Sequence, residues 1–135
     1  MMRQIVSAAL GLCLCAGTAM ADAEQGVVVE LYTSQGCSSC PPADALMADL
    51  AQMPGVIALA LHVDYWDYIG WTDTFGQAKF TDRQKAYAHA AGEKMIYTPQ
   101  MIVGGRARVE GNQPGKVAEA IAKYGINADK VNPLY

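Results

Sequence analysis

The stretch GVVVELYTS from Gly26 is apolar and β-branched, broken by the single charge of Glu30, and it stops at polar residues and Gly36. This pattern predicts a buried strand. Further on, Ala43, Leu46, Met47 and Leu50 recur at helical spacing, with Pro41 and Pro42 in front of them, where a first turn accepts proline. Pro54 and Gly55 close that helix, and VIALALHVDYW predicts a second buried strand. Strand, helix and strand in this order predict a right-handed parallel crossover. A connection of about 16 residues follows, DYWDYIGWTDTFGQAK, long and aromatic for a loop. TDRQKAYAHAAG predicts a helix, with Thr81 and Gln84 at capping-box spacing and Gly92 at its end. TPQMIVGGRARVEG predicts a hairpin that turns at Gly104-Gly105, its second strand running through Val109. QPGKVAEAIAKYG predicts a last helix with Val117, Ile121 and Tyr124 on one face. The order is β-α-β-α-β-β-α, an α/β domain with a four-stranded mixed sheet and helices on both faces.

With 135 residues, a formal net charge of −3 and 52% hydrophobic residues, the chain has the size and composition of one packed domain. That composition excludes a disordered chain, and no basic run is long enough to suggest nucleic acid. The first residues stand apart. MMRQIVSAALGLCLCAGTAMA has Arg3 in a short positive start, an apolar run from Ile5 to about Gly17, and small residues at Ala19 and Ala21. This predicts a secretory signal peptide over residues 1–21, cleaved after Ala21, with the α/β domain over 22–135. The apolar run is shorter than the roughly 20 residues that cross a bilayer, so no stable membrane span is expected once it is removed. Leu12 and Leu14 precede Cys13 and Cys15 where a lipid-modified cysteine would need a small residue before it.

The signal changes the meaning of the cysteines. Two of four leave with it, and the mature chain keeps Cys37 and Cys40. The expected location is the periplasm or the outside of the cell, oxidising compartments where disulfides persist. Cys37-Ser38-Ser39-Cys40 falls between the first strand and the first helix, on the side where α/β sheets collect their sites. A helix N-terminus stabilises a thiolate there, and Cys-x-x-Cys spacing lets the second thiol resolve a mixed disulfide formed by the first. A bridge across so short a loop is a poor staple. Two soft thiolates with His62 would also suit copper(I). Ser38 and Ser39 add donors near the sulfurs, and no Lys, Arg or His lies between the cysteines.

The segments VVVELYTSQGCSSC and YTPQMIVGG resemble the active-site strand of glutaredoxins and the cis-proline segment of thioredoxin-like enzymes. ELYTSQGCSSCPPAD, HVDYWDYIGW and YTPQMIVGGRA together resemble a family of secreted bacterial thioredoxin-like proteins classed as a domain of unknown function, whose longer members carry a further β-rich C-terminal region. The resemblance covers nearly all of the mature chain. It implies a thioredoxin-like fold and a cis bond at Thr98-Pro99, with Pro99 facing the cysteines so that substrate backbone can lie along it. Ser-Ser stands where glutaredoxins often have Pro-Tyr and thioredoxins Gly-Pro, and the tryptophan that precedes the cysteines in thioredoxins is missing.

The reading is a secreted thiol–disulfide oxidoreductase. Cys37 attacks from the exposed start of the helix, Cys40 resolves, and Pro99 shapes the groove. Glu30, seven residues before Cys37, is expected beneath the pair as a proton relay for Cys40. His62, Asp64 and Trp66 are expected at the rim, with His62 and Asp64 on one strand face. No metal or organic cofactor is needed; the partners are thiols and disulfides of proteins or small molecules, and the chain is a monomer. Two rivals stay open: a copper carrier using the same cysteines, and a non-catalytic interaction domain.

Overall fold

The computed structural model describes residues 26–125. The signal sequence, its cleavage point, Cys13 and Cys15 lie outside the described residues, as do residues 126–135. Strand β1 (Val27–Thr33) leads to helix α1 (Pro41–Leu50) and strand β2 (Val56–His62). A single 3-10 turn, Asp67–Ile69, lies on the way to helix α2 (Ala78–Ala90). Strands β3 (Gln100–Val103) and β4 (Ala107–Glu110) and helix α3 (Pro114–Gly125) complete the order.

The sheet runs β2-β1-β3-β4. β1 and β2 are parallel, from Val27 opposite Val56 to Thr33 opposite His62. β3 lies antiparallel to β1, with Tyr32 opposite Gln100, and β4 antiparallel to β3. β1 is central and is covered on both faces, which explains its near-continuous apolar run. Alternation along it sorts the two faces. Val27, Val29 and Leu31 join Met101 and Val103 against Ala43, Met47 and Leu50 of α1 and Val117 and Ala120 of α3. Tyr32 and Ile102 point to the other face, where they pack with Val63, Tyr65, Trp66 and Tyr87. Each fully buried aliphatic side chain among these contributes roughly 1.5–3 kcal/mol.

α1 starts on consecutive prolines, as the sequence suggests, with Cys40 at its N-cap. α2 begins at Ala78, three residues before the expected Thr81. The Thr81 hydroxyl does not cap the helix: it donates to Asp64 Oδ1 at 2.7 Å, so it is spent on tying the end of β2 to α2. The far end follows expectation. Gly92, at φ +72°, donates to His89 O while Glu93 N–H donates to Ala88 O, the paired bonds of a Schellman close. Gly104 and Gly105 turn the hairpin at φ +60° and +66°, values that cost glycine little. The chain has the thioredoxin-like arrangement: a mixed four-stranded sheet, α1 and α3 on one face and α2 on the other.

Candidate functional site

Cys37 and Cys40 are joined in a disulfide with their Cα atoms 5.4 Å apart. The turn that carries them is built from backbone bonds: Cys37 N–H donates to Ser34 O at 3.1 Å, and Cys40 N–H to Cys37 O at 3.2 Å. Ser38 and Ser39 sit between the cysteines on the exposed outside of that turn. Cys40 is fully buried and Cys37 is only 4% exposed, so the first cysteine is far less open than its place ahead of the helix suggests. The reason lies in the long loop. A Cβ added at Gly36 would lie 3.0 Å from Trp66 Cβ and 3.4 Å from Ile69 Cδ1, so the 3-10 turn is folded directly onto the residue before Cys37.

The helix end helps a Cys37 thiolate less than the motif alone implies. A helix N-terminus acts through its unpaired N–H groups. Pro41 and Pro42 occupy the first two helical positions and carry no N–H. Among the first three helical residues, only Ala43 offers one. The other anchor of this end is the Thr33 hydroxyl, which donates to Asp44 Oδ1 at 2.6 Å and ties the end of β1 to the first turn of α1.

Thr98-Pro99 is cis, and Pro99 and Ala43, in the first turn of α1, both border Gly111. A Cβ at Gly111 would lie 3.1 Å from both Ala43 Cβ and Pro99 Cβ, and 3.2 Å from Leu31 Cδ1. Trp66 joins the two halves of the site: its indole N–H donates to Thr98 Oγ1 at 2.8 Å while its Cβ faces Gly36. Cys37, Cys40, Thr98, Pro99 and Trp66 are thus gathered at one end of the sheet.

Three expected residues go elsewhere. Glu30 projects from the face of β1 opposite α1 and is 2% exposed; its Oε1 accepts from Arg83 Nε of α2 at 2.6 Å. It is not beneath Cys40, because strand alternation sends Leu31 to the α1 face and Glu30 to the α2 face. Asp64 does not join His62; it is bonded to Thr81 through both its N–H and its carboxylate. His62 instead places Nδ1 2.6 Å from Asp73 Oδ2. Its ring edge packs on Phe75, and it lines a shallow recess with Ala60, Thr74, Phe75, Gln77 and Phe80. Among the described residues, no group of three or more His, Cys, Asp or Glu side chains is placed to hold a metal ion. No helix among them is long and apolar enough to cross a membrane.

Asp73 is the residue that sequence reasoning missed. Its side chain is fully buried, and its Oδ2 also accepts from Gln35 N–H at 2.8 Å. Burial acts to raise its carboxyl, but Gln35 N–H, the His62 ring and Phe75 N–H outweigh that and hold it below its ordinary value. An ionised carboxylate only accepts, so His62 Nδ1 carries the proton between them. Trp71 Nε1–H donates to Gln35 Oε1 at 2.8 Å, a second tie between the loop and the turn that precedes Cys37. The bond from Phe75 N–H to Asp73 Oδ1 is an Asx turn, and Thr72-Asp73-Thr74-Phe75-Gly76 is a sequence cue for one. Nothing in the sequence says that its other oxygen reaches Gln35, 38 residues away.

A family model described as "Protein of unknown function (DUF1223)" matches residues 28–132. A crystal structure of a protein from Agrobacterium tumefaciens is 44% identical, with a TM-score of 0.69; the match covers 73% of this chain and 44% of that one. The chain therefore spans less than half the length of that relative. A thioredoxin from Malassezia sympodialis is 18% identical over 76% of this chain and 79% of its own, with a TM-score of 0.47. No curated protein matches.

Proposed function

This chain belongs to the DUF1223 family of proteins of unknown function, and we propose that it is an exported thiol–disulfide oxidoreductase working through Cys37 and Cys40. The observation that carries this reading is the disulfide at the N-cap of α1, at the same end of the sheet as the cis Thr98-Pro99 bond, whose Thr98 hydroxyl accepts from Trp66. A bridge between residues three apart constrains the unfolded chain little, so stapling is a weak reason for it.

In the oxidising direction, a substrate thiolate attacks Cys37 Sγ. The Cys37–Cys40 bond breaks, and Cys40 leaves with the electron pair and takes up a proton. A second substrate thiolate then attacks the substrate sulfur of the mixed disulfide and expels Cys37 as thiolate. The substrate is oxidised by two electrons, and the protein is reduced by two. In the reducing direction, Cys37 attacks a substrate disulfide and Cys40 resolves. Backbone on the substrate would lie along Pro99, a position that offers no N–H of its own.

The test is a thiol count on the exported protein before and after reductant, together with a metal assay. Reversible opening of one bridge without metal supports the reading. Stoichiometric copper on the reduced protein favours a carrier, and a bridge that reductant leaves closed at neutral pH favours an interaction domain. Intact mass of the same sample checks export: the expected chain starts at Asp22, and one starting at Met1 or at a lipid-modified cysteine rejects it.

A further inference from the structure

We infer that Asp73 is the positioning residue of the redox turn: its buried carboxylate holds the Gln35 N–H, so fixing the turn that presents Cys37, and its charge sets how readily that sulfur forms a thiolate. The inference rests on the reading of Cys37 as the reactive thiol. It starts from a convergence that packing alone does not require. One buried oxygen, Asp73 Oδ2, receives Gln35 N–H at 2.8 Å and His62 Nδ1 at 2.6 Å, while Oδ1 receives Phe75 N–H at 2.8 Å. The carboxylate is therefore held by β2, by its own loop and by the turn two residues before Cys37. The charged or titratable side chains that face it are His62 of β2 and Asp67, whose Oδ1 accepts Asp73 N–H at 3.1 Å. Gln35 is held a second time by the Trp71 indole, so the register of the turn is fixed from two sides.

The electrostatic part has a definite sign. Two residues of chain reach about 7 Å at most, which with the 2.8 Å bond places the Cys37 backbone within roughly 10 Å of the carboxylate and its sulfur within about 13 Å. At that range, through the mixed protein and solvent medium near a surface, one unit charge is worth about one tenfold step in an ionisation equilibrium. Negative charge opposes a thiolate. Replacing Asp73 by Asn removes one negative charge, and with the proton count on His62 unchanged the local charge becomes one unit more positive. With the Asn carbonyl oriented to Gln35 N–H the tether survives the loss of charge, while the amide nitrogen, which only donates, gives up the bond from Phe75 N–H.

The test is made on the reduced exported protein. Asp73→Asn is compared with wild type by the pH midpoint of Cys37 thiolate formation and by alkylation with iodoacetamide near pH 6. The thiolate fraction near pH 6 is expected to rise roughly tenfold. Alkylation is expected to rise only about three- to fourfold, because nucleophilicity falls as a thiol becomes more acidic. Asp73→Ala, which loses the tether as well, is expected also to expose the Gln35 amide to hydrogen exchange, whereas Asp73→Asn keeps it protected. A purely structural Asp73 would lower thermal stability in both variants and leave the thiolate midpoint unmoved; that outcome overturns the inference. If Asp73→Asn does not fold, Thr74→Lys at the neighbouring exposed position adds a positive charge without touching these bonds. It must move the midpoint the same way by at least twofold, and no movement overturns the inference. A wild-type protein whose Cys37 shows no thiol exchange at all defeats the oxidoreductase reading instead, which keeps the two failures distinct.

Discussion

Gly111→Ala tests the contact between the cis-proline segment and the helix that carries Cys40. The added methyl meets three elements at once: Ala43 Cβ of α1 at 3.1 Å, Pro99 Cβ at 3.1 Å and Leu31 Cδ1 of β1 at 3.2 Å. Ordinary carbon contacts sit at about 3.5–4.0 Å, so each must open by a few tenths of an ångström. Leu31 can move its methyl by a small rotation. The other two atoms are Cβ atoms fixed to backbone, so relief requires Pro99 and the first turn of α1 to separate. Gly111 does not have positive φ, so the cost is steric and not conformational. Overpacking of this kind costs roughly 1–3 kcal/mol. For a domain of this size, that is a fall in Tm of about 4–20 °C. The control is Gly115→Ala in α3, where no heavy atom lies within 4 Å of the added methyl. There, in the first turn of α3, replacing glycine is worth at most about 0.5–1 kcal/mol of added stability. Thermal unfolding of oxidised protein measures both. A Gly111→Ala variant within 2 °C of wild type, or one no less stable than Gly115→Ala, would refute the argument that these three elements converge on Gly111.

Other outcomes follow from single contacts. Arg83→Met leaves the buried Glu30 carboxylate without its partner and, with Arg83 half exposed, is expected to cost about 2 kcal/mol in urea unfolding; adding Glu30→Gln should recover most of that loss, and no recovery would count against a buried ion pair. Trp66→Phe removes the donor to Thr98 Oγ1 and is expected to cost about 1 kcal/mol while raising the KM for a disulfide substrate more than it lowers kcat; unchanged kinetics would show that Trp66 does not set the groove. Asp73 has a folded-state value below its ordinary one, so its contribution to stability is fully present above about pH 4 and is lost as pH falls through that folded-state value. The urea midpoint of wild type should therefore fall with pH below 4 more steeply than that of Asp73→Asn, and parallel curves would contradict the assignment.

The sequence carried most of the fold because its signals were local. β1 and β2 are apolar runs, α1 has helical spacing behind two prolines, and glycines mark both the hairpin and the end of α2. The Cys37–Cys40 bridge and the cis Thr98-Pro99 bond are legible where motif and fold position coincide. Side-chain partners are not legible where they are distant in the chain. The face of Glu30 is not legible because a buried central strand hides its own alternation, and its partner Arg83 lies 53 residues away. The spacing of Thr81 to Gln84 fits a helix cap, but its hydroxyl is taken by Asp64. The aromatic loop looked long and irregular, and only the fold shows that it clamps Gln35, Gly36 and Thr98.

The most direct test of the central claim is trapping. The reduced Cys40→Ser variant is mixed with a model disulfide substrate and analysed by intact mass without reductant, with Cys37→Ser alongside. The account predicts that Cys40→Ser accumulates a covalent mixed disulfide on Cys37, because attack proceeds and resolution cannot, while Cys37→Ser accumulates none. A trapped adduct on Cys40, or full exchange activity in both variants, would contradict it.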